Sequence, residues 1–191
     1  MNVIGGILKG KNIPFNNKRF NNAECTPQII KGALFSSLGE DLQGKSLLDL
    51  YACSGQIGIE ALSRNAKLVV FNEIDLKRFR FTQSLINEWG LNKRSIIFHF
   101  HALRCLRYLD HNNFLFDYIF IDPPYEKQSR EVKIYKEILE ELGKRFVLNR
   151  DGVIIIQHYY RNHFQRQIGG FSLISTKRYA NNSLSYFKRV T

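Results

Sequence analysis

Asp49-Leu50-Tyr51-Ala52-Cys53-Ser54-Gly55-Gln56-Ile57-Gly58-Ile59-Glu60 spans the end of one apolar run and the start of a helical one. Ser46–Leu50 is a short apolar run, and Ile57–Arg64 carries helical periodicity opened by glycines. The join is therefore strand to helix through a tight turn. Such a turn sets backbone N–H groups at the carboxyl edge of a sheet, where ligands bind. Gly55 and Gly58 permit a close backbone approach there. The pattern is not the G-x-G-x-x-G of dinucleotide sites, because Cys53 stands where the first glycine would be.

The same alternation repeats on both sides of this turn. Leu68–Asn72, Ser95–Phe100, Asp117–Ile121 and Val153–Gln157 read as further strands. Leu76–Trp89, Ala102–Leu109 and Val132–Leu142 read as the helices between them. Val153–Gln157 is almost wholly apolar, as a parallel strand covered on both faces should be. Phe171–Lys177 and Leu184–Arg189 close the chain as an antiparallel hairpin around Asn181-Asn182. The expectation is an α/β, doubly wound, Rossmann-like fold with a mostly parallel seven-stranded sheet ending in that hairpin. Upstream, Val3–Lys11 reads as a small glycine-punctuated hairpin. Thr26-Pro27 reads as a helix cap followed by proline at the first helical position. Ile29, Ile30, Ala33, Leu34 and Leu38 then form an apolar stripe that ends at Gly39. Residues 1–25 are expected to be a basic hairpin extension, and residues 26–191 the main domain.

The chain has 191 residues, 44% hydrophobic and 24% charged, enough to bury a core without staples. Its formal net charge of +11 favours a polyanionic partner, most simply nucleic acid. No apolar run reaches the roughly 20 residues that cross a bilayer, and no secretory signal opens the chain. A cytoplasmic location is expected, with no membrane partner. The three cysteines form no CxxC pair and the five histidines no HExxH, so neither a disulfide framework nor a metal site is read.

Two features carry chemistry. The first is the glycine turn with Glu73 at the end of the next strand, the position from which a carboxylate pairs with the ribose hydroxyls of a nucleoside cofactor. Asp75 competes for that role. The second is Asp122-Pro123-Pro124-Tyr125 at the end of the fourth strand. The prolines fix the backbone, so the Asp122 side chain and a prolyl carbonyl aim at one spot with little freedom to lose. Two convergent acceptors suit an exocyclic amine, and Tyr125 offers a flat face to a base.

These motifs resemble the class I S-adenosylmethionine-dependent methyltransferases that act on the exocyclic amines of bases. Ile4-Gly5-Gly6 with Lys9-Gly10-Lys11, Thr26 before Lys31-Gly32-Ala33-Leu34-Phe35, Glu60-Ala61-Leu62-Ser63-Arg64-Asn65-Ala66, and Ser183–Arg189 are similar to segments of the RsmD family. Those enzymes methylate a guanine N2 of small-subunit ribosomal RNA. The likeness covers almost the whole chain. Some positions depart from the family pattern. Cys53 replaces the first glycine of its turn. Its Arg-Pro-Thr-x-Asp-Arg stretch reads Glu24-Cys25-Thr26-Pro27-Gln28-Ile29. His101-Ala102 stands at its adenine pocket, and Gln157-His158 follows the fifth strand where the family is acidic.

The resemblance implies S-adenosylmethionine as cofactor and a small ribosomal subunit as partner, with no metal and a monomeric chain. Asp49, Tyr51, Ala52, Cys53, Ser54, Gly55 and Gly58 would face the methionine part of the cofactor. Glu73 would hold the ribose, and His101 and Ala102 would lie by the adenine. Asp122, Pro123, Pro124 and Tyr125 would hold and position the target amine. Lys9, Lys11, Lys18, Arg19, Lys31, Arg78, Arg80, Arg104 and Arg107 are candidates for phosphate contacts. A DNA adenine-N6 methyltransferase shares the same amine chemistry, and a non-catalytic RNA-binding relative would keep the fold without it.

Overall fold

A computed structural model describes residues 1–20, 22–23, 25–124 and 133–190. Helix α1 (Gln28–Leu38) precedes β1 (Ser46–Asp49), α2 (Gln56–Ser63), β2 (Leu68–Asn72), α3 (Leu76–Glu88), β3 (Ser95–Phe98), α4 (Ala102–His111) and β4 (Phe116–Ile121). Then come α5 (Lys133–Gly143), β5 (Leu148–Tyr159), β6 (Gln167–Ile168), β7 (Phe171–Tyr179) and β8 (Asn182–Arg189). The strands form one sheet in the order β3-β2-β1-β4-β5-β8-β7-β6. The first five run parallel, and β5–β8, β8–β7 and β7–β6 pair antiparallel. The expected Rossmann-like sheet and closing hairpin are present, with the two-residue β6 as an added eighth strand. The Val132 end of the expected fifth helix lies outside the described residues.

Helices cover both faces of the parallel part, so its strands are apolar without interruption. Leu47, Val69, Phe71 and Phe120 point into the core shared with α1, α2 and α3. Their neighbours Leu48, Val70, Ile119 and Ile121 point into the core shared with α4 and α5. This alternation is the period of two that a pleated strand imposes. The chain runs outward from β1 to β2 and β3, then returns to β4 on the other side of β1. Ligands bind at such a switch point, beyond the carboxyl ends of the strands. Asp49 ends β1 opposite Phe120, two residues before Asp122.

The expected N-terminal hairpin is short. The antiparallel Asn2–Asn12 bridge closes it, Val3 N–H donates to the Lys11 carbonyl and Gly10 N–H to the Val3 carbonyl, both at 2.9 Å, and Gly6–Leu8 is a 3-10 turn between the two arms. The hairpin docks on α2, where Ile4 N–H donates to Glu60 Oε2 and Leu8 N–H to Ser63 Oγ, each at 2.9 Å. Gly6 has φ +73°, and a Cβ there would lie 1.9 Å from the Ser63 carbonyl oxygen, so only glycine fits. Val3 and Ile13 are buried in the main core. Phe15 stacks on Phe20 at 4.4 Å, and both meet Phe81 of α3 edge-on at 5.3 Å.

Candidate cofactor and target site

Between β1 and α2 the backbone turns through two left-handed residues, Cys53 at φ +48° and Gly55 at φ +73°. Gly55 N–H closes the turn on the Ala52 carbonyl at 2.7 Å. Asp49, 1% exposed, accepts from Gly58 N–H at 3.2 Å, which ties the strand end to the first turn of the helix. Burial pushes the Asp49 carboxyl up to about 8, and the facing charges of Asp122 and Glu73 add to the rise. At Gly58 a Cβ would come within 2.1 Å of the Phe71 ring, so the helix rests directly on β2. Ala52 and Ser54 are buried in this turn and Tyr51 is half-buried, its hydroxyl pushed up to about 12 by that burial.

Glu73 stands beside the turn. Its Oε2 accepts from Cys53 N–H at 2.9 Å. Its Oε1 accepts from Asp75 N–H at 2.8 Å and from Arg78 Nη2 at 2.9 Å. A carboxylate offers about four acceptor positions, so these three leave capacity for one more donor. Asp75 is committed elsewhere, capping α3 by accepting from Arg78 N–H at 2.9 Å. Arg78, expected on a phosphate-binding face, is the ion-pair partner of Glu73 instead. Asn72 stitches the strand ends together, donating to the carbonyls of Leu50 and Phe100 at 3.2 and 3.1 Å and accepting from Phe100 N–H at 3.3 Å.

Across β1 from this pair lies Asp122. Its Oδ2 accepts from the Thr26 hydroxyl at 2.7 Å. Thr26 is therefore not the cap of α1: the helix starts at Gln28 with Pro27 at its cap position and no side-chain capping bond. The Thr26 carbonyl is itself held by Gln56 Nε2 at 2.6 Å. Burial pushes the Asp122 carboxyl up to about 7, against the lowering effect of the Thr26 bond. Pro123 is buried and Pro124 exposed. Tyr125 lies outside the described residues. Asp49, Cys53, Glu73 and Asp122 thus come together at one edge of the sheet. His101 sits exposed just before α4 with no side-chain capping bond, and Ala102 is buried behind it.

The charged surface is only partly as expected. Lys9, Lys11, Lys18, Arg19, Arg80, Arg104 and Arg107 are exposed. Lys31 is not: it is fully buried, 3.3 Å from Glu60 and donating to the Asn2 carbonyl, so that the buried Glu60 charge is paired by Lys31 on one oxygen and by Arg64 at 3.1 Å on the other. A basic and aromatic cluster follows β5. There Tyr160 lies against Arg178 at 3.9 Å and Arg161 at 5.4 Å, with Tyr159 edge-on at 4.8 Å. Tyr160, Arg161 and Arg178 border a pocket of about 430 Å³ that Asn162 and His163 also line.

The family described as "Conserved hypothetical protein 95" matches residues 1–188. A "Putative rRNA methyltransferase YlbH" of Bacillus subtilis is 27% identical over 189 residues, covering 99% of each chain. A "Ribosomal RNA small subunit methyltransferase D" of Buchnera aphidicola is 30% identical over 156 residues, covering 81% of this chain and 74% of its own. Among solved structures, the chain is similar to a "Putative methyltransferase yhhF" of Escherichia coli, with a TM-score of 0.82 at 20% identity over 100% of this chain and 98% of that one.

Proposed function

The chain belongs to this family, that of the RsmD-type ribosomal RNA methyltransferases, and on that premise we propose that it moves a methyl group from S-adenosylmethionine to the exocyclic N2 amine of a guanine in small-subunit ribosomal RNA. The observation that carries the reading is the convergence of Asp49, Glu73 and Asp122 on one sheet edge, with Asp122 held by Thr26. The charges of Asp122 and Glu73 raise the proton affinity of buried Asp49, and a ligand bearing positive charge relieves that repulsion. S-adenosylmethionine carries an ammonium and a sulfonium, and it supplies a methyl group activated by the positive sulfur.

Glu73, already ordered by Cys53, Asp75 and Arg78, has one acceptor position left for a ribose hydroxyl. The Ala52–Gly58 turn would face the methionine part, and Asp49 braces that turn through Gly58. His101 and Ala102 would border the adenine. Asp122 and the Pro123 carbonyl would accept hydrogens from the target amine and fix its nitrogen in line for the methyl group. That contribution is one of proximity and orientation. A carboxylate near 7 is also a fit acceptor for the proton that the methylated nitrogen sheds. Tyr125 would stack on the base.

Exposed Lys9, Lys11, Lys18, Arg19 and Arg104, together with Tyr160, Arg161 and Arg178, supply the phosphate and base contacts of an RNA-docking face. Among the described residues no helix is long and apolar enough to cross a membrane. The reading places the enzyme with ribosomes in the cytoplasm, acting as a monomer on assembled or assembling subunits. The test is transfer of labelled methyl groups to unmodified small subunits, naked ribosomal RNA and duplex DNA in parallel. Label in the subunit or its RNA supports the reading; label in DNA alone, or cofactor bound with no transfer at all, overturns it.

A further inference from the structure

Cys25 and Cys53 are 28 residues apart in sequence, yet their Sγ atoms stand 2.7 Å from each other as free thiols. Each belongs to a segment that shapes the site. Cys25 directly precedes Thr26, whose hydroxyl rests on Asp122. Cys53 is the left-handed residue of the glycine turn, and its N–H rests on Glu73. Both are partly exposed, whereas Cys105 is buried. A disulfide asks for sulfurs at about 2.0 Å, so oxidation moves neither segment across the fold.

We propose that Cys25 and Cys53 are a redox modification site, a dithiol that small-molecule disulfides convert to an intramolecular disulfide, and that the oxidised form pins Thr26 on Asp122 and stops methyl transfer. The chemistry balances with glutathione disulfide as oxidant. Cys25, as thiolate, attacks one sulfur and releases one glutathione as its thiolate, which takes up the proton Cys25 gave to solvent. Cys53 then loses its proton and attacks the Cys25 sulfur of the mixed disulfide, releasing the second glutathione as a thiol. Two electrons pass from the protein to the oxidant.

The two thiols are unequal in the required sense. The hydrogen bond from the Cys53 thiol lowers Cys25 from its ordinary value, with burial opposing and the Ser54 hydroxyl and N–H assisting. The same pairing, with burial, pushes Cys53 up. Cys25 is thus the readier thiolate, and Cys53, its sulfur 2.7 Å away, is placed to resolve the mixed disulfide. The consequence follows from the segment between them. Residues 25–26 link the cofactor turn to the target acceptor, and a covalent bond at Cys53 fixes Thr26 and, through it, the Asp122 carboxylate, so the acceptor cannot shift to meet an incoming amine. That second half rests on the role proposed above for Asp122; the thiol chemistry does not.

The experiment treats the full chain with glutathione disulfide, then counts alkylatable thiols in denaturant and maps peptides by mass. Of the three cysteines, only Cys105 should remain free, with Cys25 and Cys53 joined and the chain lighter by two hydrogen atoms. Three free thiols, or separate glutathione adducts on Cys25 and Cys53, would overturn the site. Oxidation should lower methyl transfer about tenfold or more while cofactor affinity stays within about threefold, and dithiothreitol should restore the rate. Cys25→Ser and Cys53→Gly, the latter suited to the positive φ, should each be insensitive to the oxidant. A disulfide that leaves transfer unchanged overturns the switch. A reduced chain that methylates nothing counts against the proposed function, and the thiol count still decides the site.

Discussion

The Thr26 hydroxyl donates to Asp122 Oδ2 across 2.7 Å, joining the residue that leads into α1 to the end of β4. The two lie 96 residues apart, and the contact fixes the carboxylate before any base arrives. Asp122→Ala should therefore reduce methyl transfer by about 100-fold or more while cofactor affinity changes by less than about threefold, since the lost acceptor serves the base. Single-turnover rates beside calorimetric binding check this. Transfer at the parent rate would remove Asp122 from the mechanism.

The pH dependence follows from the same residue. Burial sets the Asp122 carboxyl near 7, and the ionised form is the acceptor. Transfer should rise with pH and reach half its plateau near 7. Thr26→Val removes a hydrogen bond that lowers the carboxyl, so the midpoint should move to higher pH. Rate against pH for both chains decides it; a midpoint unmoved or moved down would contradict the assignment.

Glu73→Gln keeps the size of the side chain but removes the charge that Arg78 and the Cys53 N–H face. Cofactor affinity should fall about tenfold or more, a loss in the range of a charge-assisted pair. Asp75→Asn, at the α3 cap, should leave affinity within about twofold because asparagine also caps helices well. Calorimetry on both variants separates the two acids. An equal loss from each would mean that the ribose role is not specific to Glu73.

Asp49 bears on stability. Its folded-state carboxyl, near 8, lies above the ordinary value of 3.8, so the folded chain holds a proton that the unfolded chain has lost between those values. The stability this contributes is complete below pH 4 and disappears as pH rises toward 8. Asp49→Asn removes that dependence and can still accept from Gly58 N–H. It should gain stability relative to the parent as pH rises from 5 to 8, by about 1–3 kcal/mol at pH 8. Urea unfolding at the two pH values measures the gap; a gap that is constant or narrows would contradict it.

His158, near the end of β5, gives a stability dependence of the opposite sign. It is buried, its ring between Ser185 Oγ at 2.8 Å and the Tyr159 carbonyl at 2.9 Å, and burial lowers it to about 4. Its contribution to stability is present above the ordinary value of 6.5 and is lost as pH falls toward 4. His158→Gln should flatten stability between pH 6.5 and 4, read by thermal unfolding across that range.

Much of the fold was legible because its decisive signals are local. Strands covered on both faces are apolar throughout, and Gly55, Gly58 and Asp122-Pro123-Pro124 punctuate their ends. What was not legible depends on distant partners. Lys31 reads as a surface charge until Glu60, on another helix, is brought to it. Thr26 beside proline reads as a cap, and only the folded sheet supplies Asp122 as its acceptor. Val3–Lys11 reads as a hairpin, but the sequence does not show that α2 takes the N–H groups of Ile4 and Leu8 and so docks it. The two-residue β6 is too short to carry a pattern. Asn72, a generic polar residue in sequence, draws its stitching role from two backbone segments it does not adjoin.

The identity of the methylated nucleoside decides whether the chain acts on guanine N2. Small subunits lacking the modification are incubated with the chain and labelled S-adenosylmethionine, and their RNA is digested to nucleosides. Label is expected in N2-methylguanosine with the parent chain and none is expected with Asp122→Ala. Label in another nucleoside, or label that survives the loss of Asp122, would contradict the guanine-N2 reading.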